Sequence, residues 1–373
     1  MRDLIYLSLP WLSMYDAGLL DSNYPHHQWF HLQNVEHWPR HTTSRVHALD
    51  TPWSITPTVI PIPEINNNEL RFDRVIESIA EQFCNHATQS GKKVYVCWSG
   101  GIDSTAILVS ILKIASAEFL KNLTVLYSSN CVTENAYFFS YFIKEKLQSE
   151  NIDTFSVTPE NYDKIIMVDG EAGNQVMGQT SIHKLIYAGR LDLLNQPWRT
   201  IKNINQLLIG ATDLAKQLLT ESIEHAPVPI ETGCDFLWWT NFNFKFDDVL
   251  LRKALNYTQH LDPAQSKLFY EQGLYRFYTH PEMQVWSMIA KDLRRESSKY
   301  MPKYIPKKYI FEFDHNEFYF SNKSEEGSSS YAFFNQDVGS KTTGIFALDK
   351  DWNKYNIADQ CVRTQLGKIL QRI

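Results

Sequence analysis

The seven residues Ser-Gly-Gly-Ile-Asp-Ser-Thr at 99–105 are the part of the chain best suited to chemistry. Adjacent glycines let a backbone approach an anion closely, and the exposed amides and dipole of a following helix favour a phosphate group. Asp103 adds a carboxylate beside that phosphate, and two negative groups are compatible there when Mg²⁺ lies between them. We therefore predict a magnesium-dependent polyphosphate site at Ser99, Gly100, Gly101, Asp103, Ser104 and Thr105.

The segments around this loop predict alternating strands and helices. Residues 94–98 form an apolar run that ends just before the glycines, and 106–112 continue as a buried helix. Two more short apolar runs, at 123–127 and 165–168, are typical of buried strands, with a helix predicted at 134–149 between them. Strands alternating with helices at this spacing indicate an α/β fold, with a parallel sheet and flanking helices.

The heptapeptide resembles the SGGxDS signature of the PP-loop ATP pyrophosphatases. It is too short for the GxxxxGK[ST] loop and lacks that loop's lysine. The resemblance implies an adenine nucleotide alpha hydrolase-like fold that binds ATP and Mg²⁺ and cleaves ATP between the α and β phosphates. Tyr127, at the end of the second predicted strand, is a further expected nucleotide contact.

A second segment, 169–179, resembles the asparagine synthetase motif SGEGxDExFGGY, about 66 residues after Asp103. Gly170 and Glu171 match the Gly-Glu pair of that family, which implies that Gly170 faces the nucleotide and Glu171 orients the amine or accepts its proton. The family's Asp-Glu pair is Asn174-Gln175 here, which is uncharged. Asp169 is therefore expected to join Asp103 as a metal ligand.

Fainter matches follow later in the chain. The turn at 277–282 lies where the family has its Pro-Phe-Leu-Asp turn, although only the general shape is kept. Several lysines lie where the family carries a functional lysine, and we take Lys303 and Lys307 as the candidates. A lysine there would stabilise the charge that develops as pyrophosphate leaves.

The resemblance implies an AMP- and pyrophosphate-forming amide ligase. A substrate carboxylate would form an acyl-adenylate, and a small-molecule amine or ammonia would convert it to an amide. We expect a small N-terminal region at 1–68, the PP-loop synthetase domain at 69–320, mainly helical after about 183, and a C-terminal extension at 321–373. About 70 residues are too few for a glutaminase domain, and residue 2 is arginine, not the catalytic cysteine. The nucleophile is then free ammonia, the amine of a second substrate, an internal amine, or ammonia from a separate partner.

Two alternatives stay open. The chain could be a PP-loop enzyme that activates a carbonyl of a nucleobase or a tRNA, although it lacks CxxC pairs. It could also be a nucleotide-binding protein without turnover, as the uncharged Asn174 and Gln175 would allow.

The composition argues against two classes of partner, DNA and membranes. A net charge of -6 without long basic runs argues against a general DNA-binding surface, and the sequence has no apolar run long enough to span a membrane. Five widely spaced cysteines favour reduced thiols, from which we expect a cytoplasmic protein.

Overall fold

The computed structural model describes residues 2–8, 35–38, 60–66, 70–177, 191–201, 220–244, 246, 257–258, 260–290, 303–323, 343–349 and 354–355. The chain forms two compact units: the first contains 1–62, 179–259 and 327–373, and the second contains 63–178 and 260–326. The predicted boundaries near 68 and 320 lie close to two of these limits, whereas 179–259 groups with the first unit. The division into functional domains stays a prediction.

The described strands are β1 (Arg2–Ser8), β2 (Val35–Trp38), β3 (Lys93–Cys97), β4 (Leu123–Tyr127), β5 (Gln148–Asn151), β6 (Ile165–Val168), β7 (Leu274–Tyr275), β8 (Thr343–Asp349) and β9 (Lys354–Tyr355). The described α-helices are α1 (Phe72–Ser90), α2 (Ile102–Ile114), α3 (Ala117–Asn122), α4 (Ser129–Glu134), α5 (Ala136–Phe138), α6 (Gly173–Met177), α7 (Leu191–Asn195), α8 (Gly233–Phe244), α9 (Pro263–Gln272), α10 (Pro281–Ile289), α11 (Tyr304–Asp314) and α12 (Glu317–Asn322). Short 3₁₀ turns lie at Ile152–Thr154, Trp198–Thr200 and Phe277–Thr279, and a π-turn lies at Phe139–Ile143.

The second unit is built on a five-stranded parallel sheet with the order β5-β4-β3-β6-β7. The central strand β3 pairs with β4 from Val94 opposite Leu123, and with β6 from Lys93 opposite Ile165. Helices flank this sheet, and the apolar residues of β3, β4 and β6 are buried. The predicted α/β class, with strands at 94–98, 123–127 and 165–168, is confirmed.

Helix α1 shows how the apolar pattern fixes local structure. Its residues at helical spacing, from Phe72 through Val75, Ile79 and Phe83, are all buried. The helix ends at Gly91, whose φ of 64° is a left-handed conformation that glycine adopts at little cost. The chain can therefore turn directly into β3.

The predicted helix at 134–149 is wrong in part. Helix α4 stops at Glu134, because the Asn135 side chain accepts a hydrogen bond from the amide of Phe138 and starts a new helix. The chain then makes a π-turn and enters the short strand β5, which pairs with β4. The residues of β5 are polar and partly exposed, so they lack the apolar pattern of a buried strand.

The first unit contains an antiparallel sheet with the order β2-β1-β8-β9. Strand β1 pairs with β2 and, along its whole length, with β8, from Arg2 opposite Asp349 to Ser8 opposite Thr343. The same unit contains helices α7 and α8. Between these two helices along the chain, the indole of Trp198 donates a hydrogen bond to the carbonyl of Ile230 at 3.1 Å.

No helix in the described part of the chain is both long enough and apolar enough to cross a bilayer.

Candidate functional site

The glycine loop lies at the carboxyl end of the central strand β3. After the strand, the amide of Trp98 still bonds to the carbonyl of Leu126 at 2.9 Å, and the backbone then turns away. Gly100 has a φ of 72°, and a Cβ atom there would lie 2.4 Å from the carbonyl oxygen of Cys131. Both the backbone conformation and the space therefore require glycine at this position.

Helix α2 begins immediately after the turn with Gly101 as its N-cap. Glycine offers no side-chain acceptor, so no capping side chain covers the first amides of α2. The Gly101 amide itself donates to the hydroxyl of Ser99 at 3.2 Å. A buried strand, a glycine turn and the uncapped start of a 13-residue helix together form an arrangement that suits an anion.

The hydroxyl groups of the loop hold its shape. Ser104 Oγ accepts a hydrogen bond from the Ser99 amide at 3.0 Å and lies 2.8 Å from the Ser99 hydroxyl. Thr105 Oγ1 accepts from the buried indole of Trp98 at 3.0 Å. Ser104 and Thr105 are both buried. Their predicted contact with phosphate stays a prediction, and the structure gives them a second role in bracing the turn.

The segment after β6 packs directly on Asp103. A Cβ atom at Gly173 would lie 2.4 Å from Cγ of Asp103, and one at Gly170 would lie 2.9 Å from the amide nitrogen of Ser104. Between them, Ala172 adopts a φ of 64°, which costs energy for a residue with a Cβ atom. The second predicted segment is thus brought to the first, and both glycines are needed for that approach.

Lys303 forms an ion pair with Asp103. Its Nζ atom lies 2.6 Å from each carboxylate oxygen of Asp103, and its side chain is only 2% exposed. Lys303 also has a φ of 51°, which is left-handed and places it just before helix α11. A buried ammonium is stable only with charged or hydrogen-bonding partners, so Asp103 helps to hold Lys303 in the site.

Two tyrosines that the sequence analysis missed donate to the loop backbone. Tyr278 donates to the carbonyl of Asp103 at 2.8 Å, and Tyr319 donates to the carbonyl of Gly100 at 2.9 Å. Burial is the main cause that raises the pKa of both hydroxyls, and the charge of Asp103 raises each pKa further. Both groups therefore remain neutral donors. Tyr278 belongs to the turn at 277–282, whose position the faint family match had indicated.

The structure gives fewer contacts for the other predicted site residues. The amide of Glu171 donates to Asp169 Oδ1 at 3.0 Å, next to Gly170. Lys307 is buried on the first turn of α11, where its amide bonds to the carbonyl of Lys303. Tyr127 ends β4, the neighbour of β3, and its ring lies 4.7 Å from that of Phe139. The roles assigned to these residues stay predictions.

The donor chemistry suits Mg²⁺ held mainly by phosphate oxygens. Within the described ranges, no group of three or more His, Cys, Asp or Glu residues surrounds one metal position. Mg²⁺ commonly binds one or two carboxylates together with nucleotide phosphates, and Asp103 and Asp169 are the carboxylates at hand. Lys303 contacts both oxygens of Asp103, so a metal ion bound there would share the carboxylate with this ammonium.

The chain was also compared with known proteins. No protein-family model, no curated protein and no solved structure matches it. The function is therefore inferred from the residues and contacts of the site: a glycine turn at a strand end, an aspartate beside two glycines, and a buried lysine.

Proposed function

We propose that the chain binds ATP on the loop at 99–105 and acts as an AMP- and pyrophosphate-forming ligase that makes a C–N bond. The observation that carries this proposal is the contact of three separate segments at Asp103. The loop supplies the carboxylate, the turn at 170–173 packs against it, and Lys303 pairs with it from 200 residues later in the chain. These are the segments in which the sequence resembles asparagine synthetases.

The position of the loop supports an adenine nucleotide alpha hydrolase-like fold, which is part of the same proposal. A loop that follows the central strand of a parallel sheet opens at the carboxyl edge, where open α/β sheets bind ligands. The neighbouring strands β4 and β6 end at that edge beside β3, which places Tyr127 and Asp169 next to the loop.

In the first step, a substrate carboxylate oxygen would attack the α phosphorus of ATP. The bond between the α phosphorus and the oxygen bridging to the β phosphorus would break, and pyrophosphate would leave. Backbone amides at the start of α2 would bind the phosphate oxygens, and the Lys303 ammonium would stabilise the charge on the leaving group. Mg²⁺, when bound, would neutralise part of the same phosphate charge.

In the second step, an amine would attack the carbonyl carbon of the acyl-adenylate. The bond from that carbon to the AMP oxygen would break, which releases AMP and leaves an amide. The amine loses one proton in this step, and Glu171 is the carboxylate proposed to accept it. Glu171 is partly exposed beside Gly170, so a proton that it accepted could pass to water.

Nucleotide binding without turnover is the second candidate. Asn174 and Gln175 are uncharged where the resembling family has its Asp-Glu pair, and Gln175 is buried. Lys303 also places an ammonium on both oxygens of the expected metal ligand. If the positive charge of Lys303 keeps a metal ion from Asp103, the site would bind nucleotide phosphates but would lack the metal that assists cleavage.

The test is the release of AMP and pyrophosphate from ATP and Mg²⁺ in the presence of panels of carboxylic acids and amines. Asp103→Asn should abolish AMP release that depends on an added acid, whereas Asp163→Asn, at an exposed turn, should leave it unchanged. ATP binding without AMP under every combination would support the candidate without turnover. Absence of both ATP binding and AMP release would reject both candidates.

A further inference from the structure

A cavity of about 540 Å³ lies beside the parallel sheet, away from the glycine loop. It is lined by residues just before β3, including Lys92, and by Leu274 and Tyr275 of β7. Lys92 and the glycine loop lie at opposite ends of β3, a strand of five residues that spans about 17 Å. None of the lining residues belongs to the glycine loop, although Arg276 lies two residues before Tyr278, and the cavity volume is typical of small-molecule pockets.

Arg276 gives this cavity its chemical character. Its guanidinium carbon lies 4.8 Å from the centre of the Tyr270 ring, which is close enough for a cation–π interaction. Among the residues that the structure describes, no group accepts a hydrogen bond from its buried Nη1 atom. Arg276 as a whole is partly exposed and lines the cavity, and a guanidinium is well suited to bind the oxygens of a carboxylate or phosphate.

The other lining residues add to the positive charge and supply apolar walls. Lys92 and Arg276 are the lysine and arginine among the lining residues, and Glu271 is the one carboxylate there. The His86 ring lies 5.9 Å from that of Tyr275, at the same cavity. Leu274 and Tyr275 offer apolar surface next to these charges. A ligand that matched both features would have an anionic head and an apolar or aromatic body.

We propose that this cavity binds a small organic anion, whose carboxylate or phosphate pairs with Arg276 while its apolar body lies against Leu274 and Tyr275. The proposal is independent of the proposed ligase function, because it uses none of the residues of the glycine loop.

Photo-crosslinking tests this with 4-benzoylbenzoate, an anion with an aromatic body, and with benzophenone as its neutral counterpart. Mass spectrometry locates the adducts, which separates this cavity from the loop at 99–105. We expect saturable labelling of the peptide that contains Leu274 and Tyr275 by the acid, and much weaker labelling by benzophenone. Equal labelling by the two probes would overturn the proposal, as would labelling confined to other peptides.

Variants identify the partner of the anion. Arg276→Gln should weaken the acid's apparent affinity about tenfold or more, because a charge-assisted pair is lost. Arg71→Gln, an exposed arginine of the same unit, should have no effect. If Arg276→Gln does not fold, Arg276→Lys tests the same point. It keeps the positive charge but loses the planar guanidinium with its paired N–H donors, so we expect a severalfold loss of affinity. Unchanged affinity in a folded Arg276 variant would overturn the proposal.

Competition distinguishes the two sources of the anionic head. Benzoate and phenyl phosphate have the same ring and differ in this group. Displacement by benzoate alone would indicate carboxylate ligands, and displacement by phenyl phosphate alone would indicate phosphate esters. Displacement by both would indicate a general organic-anion site. Displacement by neither would overturn the proposal.

Discussion

Lys303 Nζ lies 2.6 Å from both carboxylate oxygens of Asp103, although 200 residues separate the two along the chain. The lysine side chain is 2% exposed and the aspartate side chain is 17% exposed, so the two charges differ in their access to water. This pair joins the glycine loop to the segment before α11. A metal ion at Asp103, as proposed, would share its carboxylate with the Lys303 ammonium.

The first prediction concerns this ion pair. Asp103→Asn should lower the free energy of unfolding by about 3–5 kcal/mol, because it removes the carboxylate that pairs with a buried ammonium. Lys303→Met should cost less, since water reaches the remaining carboxylate. The double variant should cost less than the sum of the two single variants, as urea denaturation can measure. Lys308→Met, at an exposed lysine paired with Glu312, is the control and should change stability by less than about 0.5 kcal/mol. Additive costs would show that the pair does not couple the segments.

The second prediction concerns Gly100. Gly91 and Gly100 both have a positive φ, but a Cβ atom at Gly91 meets nothing within 4 Å, whereas one at Gly100 meets the Cys131 carbonyl at 2.4 Å. Gly91→Ala should therefore cost only the backbone strain, about 1–2 kcal/mol. Gly100→Ala should cost about 1–3 kcal/mol more, because the backbone around Cys131 must shift. Equal urea midpoints for the two variants would contradict the described packing of the loop against α4.

The third prediction concerns the two tyrosines that donate to the loop. Tyr278→Phe and Tyr319→Phe should each lower the free energy of unfolding by about 1 kcal/mol, since a loop carbonyl loses its donor. Each variant should also weaken ATP binding, because the carbonyls of Asp103 and Gly100 are then less firmly fixed. Tyr141→Phe, at a tyrosine that is 59% exposed, should change neither quantity. Wild-type behaviour in both loop variants would show that these hydrogen bonds do not hold the loop.

The fourth prediction is a pH dependence at His280, whose side chain accepts from the Glu282 amide at the start of α10. Burial lowers the pKa of His280 below its ordinary value of 6.5, and the charge of Glu282 opposes this only in part. The folded state therefore binds a proton less readily than the unfolded state. This contribution to stability is complete above pH 6.5 and is lost as the pH falls through that value towards the lowered pKa.

The measurement compares urea midpoints at pH 7.5 and pH 5.5. Wild-type protein should lose more stability between these values than His280→Asn, which can still cap α10 but does not titrate. An equal loss in the two proteins would contradict the assignment to His280.

Local patterns predicted much of the second unit and could not predict the rest. The buried strands β3, β4 and β6 were found because each is a short apolar run beside a turn signal. The predicted helix at 134–149 overlaps the first two residues of β5, because β5 is polar and lacks the pattern of a buried strand. Strand β7 is too short, at two residues, to have a pattern. The pairing of β1 with β8 joins segments more than 300 residues apart, and no local pattern encodes that contact.

Some parts of the candidate site could be predicted from the sequence, and others are visible only in the fold. The heptapeptide at 99–105 was identified from its own residues, and Lys303 came only from the resemblance to a family. Its burial and its pairing with Asp103 are properties of the fold. Tyr278 and Tyr319 are 175 and 219 residues from the carbonyls to which they donate. The family match indicated the turn that contains Tyr278, but no sequence pattern marks either contact. Gly173 lay in the second segment, but only the structure shows that it must be small.

The most direct test of the central claim is the affinity of the loop for ATP, measured by calorimetry with α,β-methylene-ATP and Mg²⁺. Gly101 has an ordinary φ of -76°, and among described residues only Ser99 Oγ lies within 4 Å of an added Cβ atom, at 3.1 Å. Gly101→Ala should therefore fold with a small loss of stability, because Ser99 Oγ must shift slightly and alanine is a poorer N-cap than glycine, while the methyl group would lie where we propose that a phosphate binds. We predict that wild-type protein binds the analogue and that Gly101→Ala, folded at the temperature of the measurement, binds it at least about tenfold more weakly. Equal affinity in the two proteins, or no binding by wild-type protein, would contradict the claim that this loop is a phosphate site.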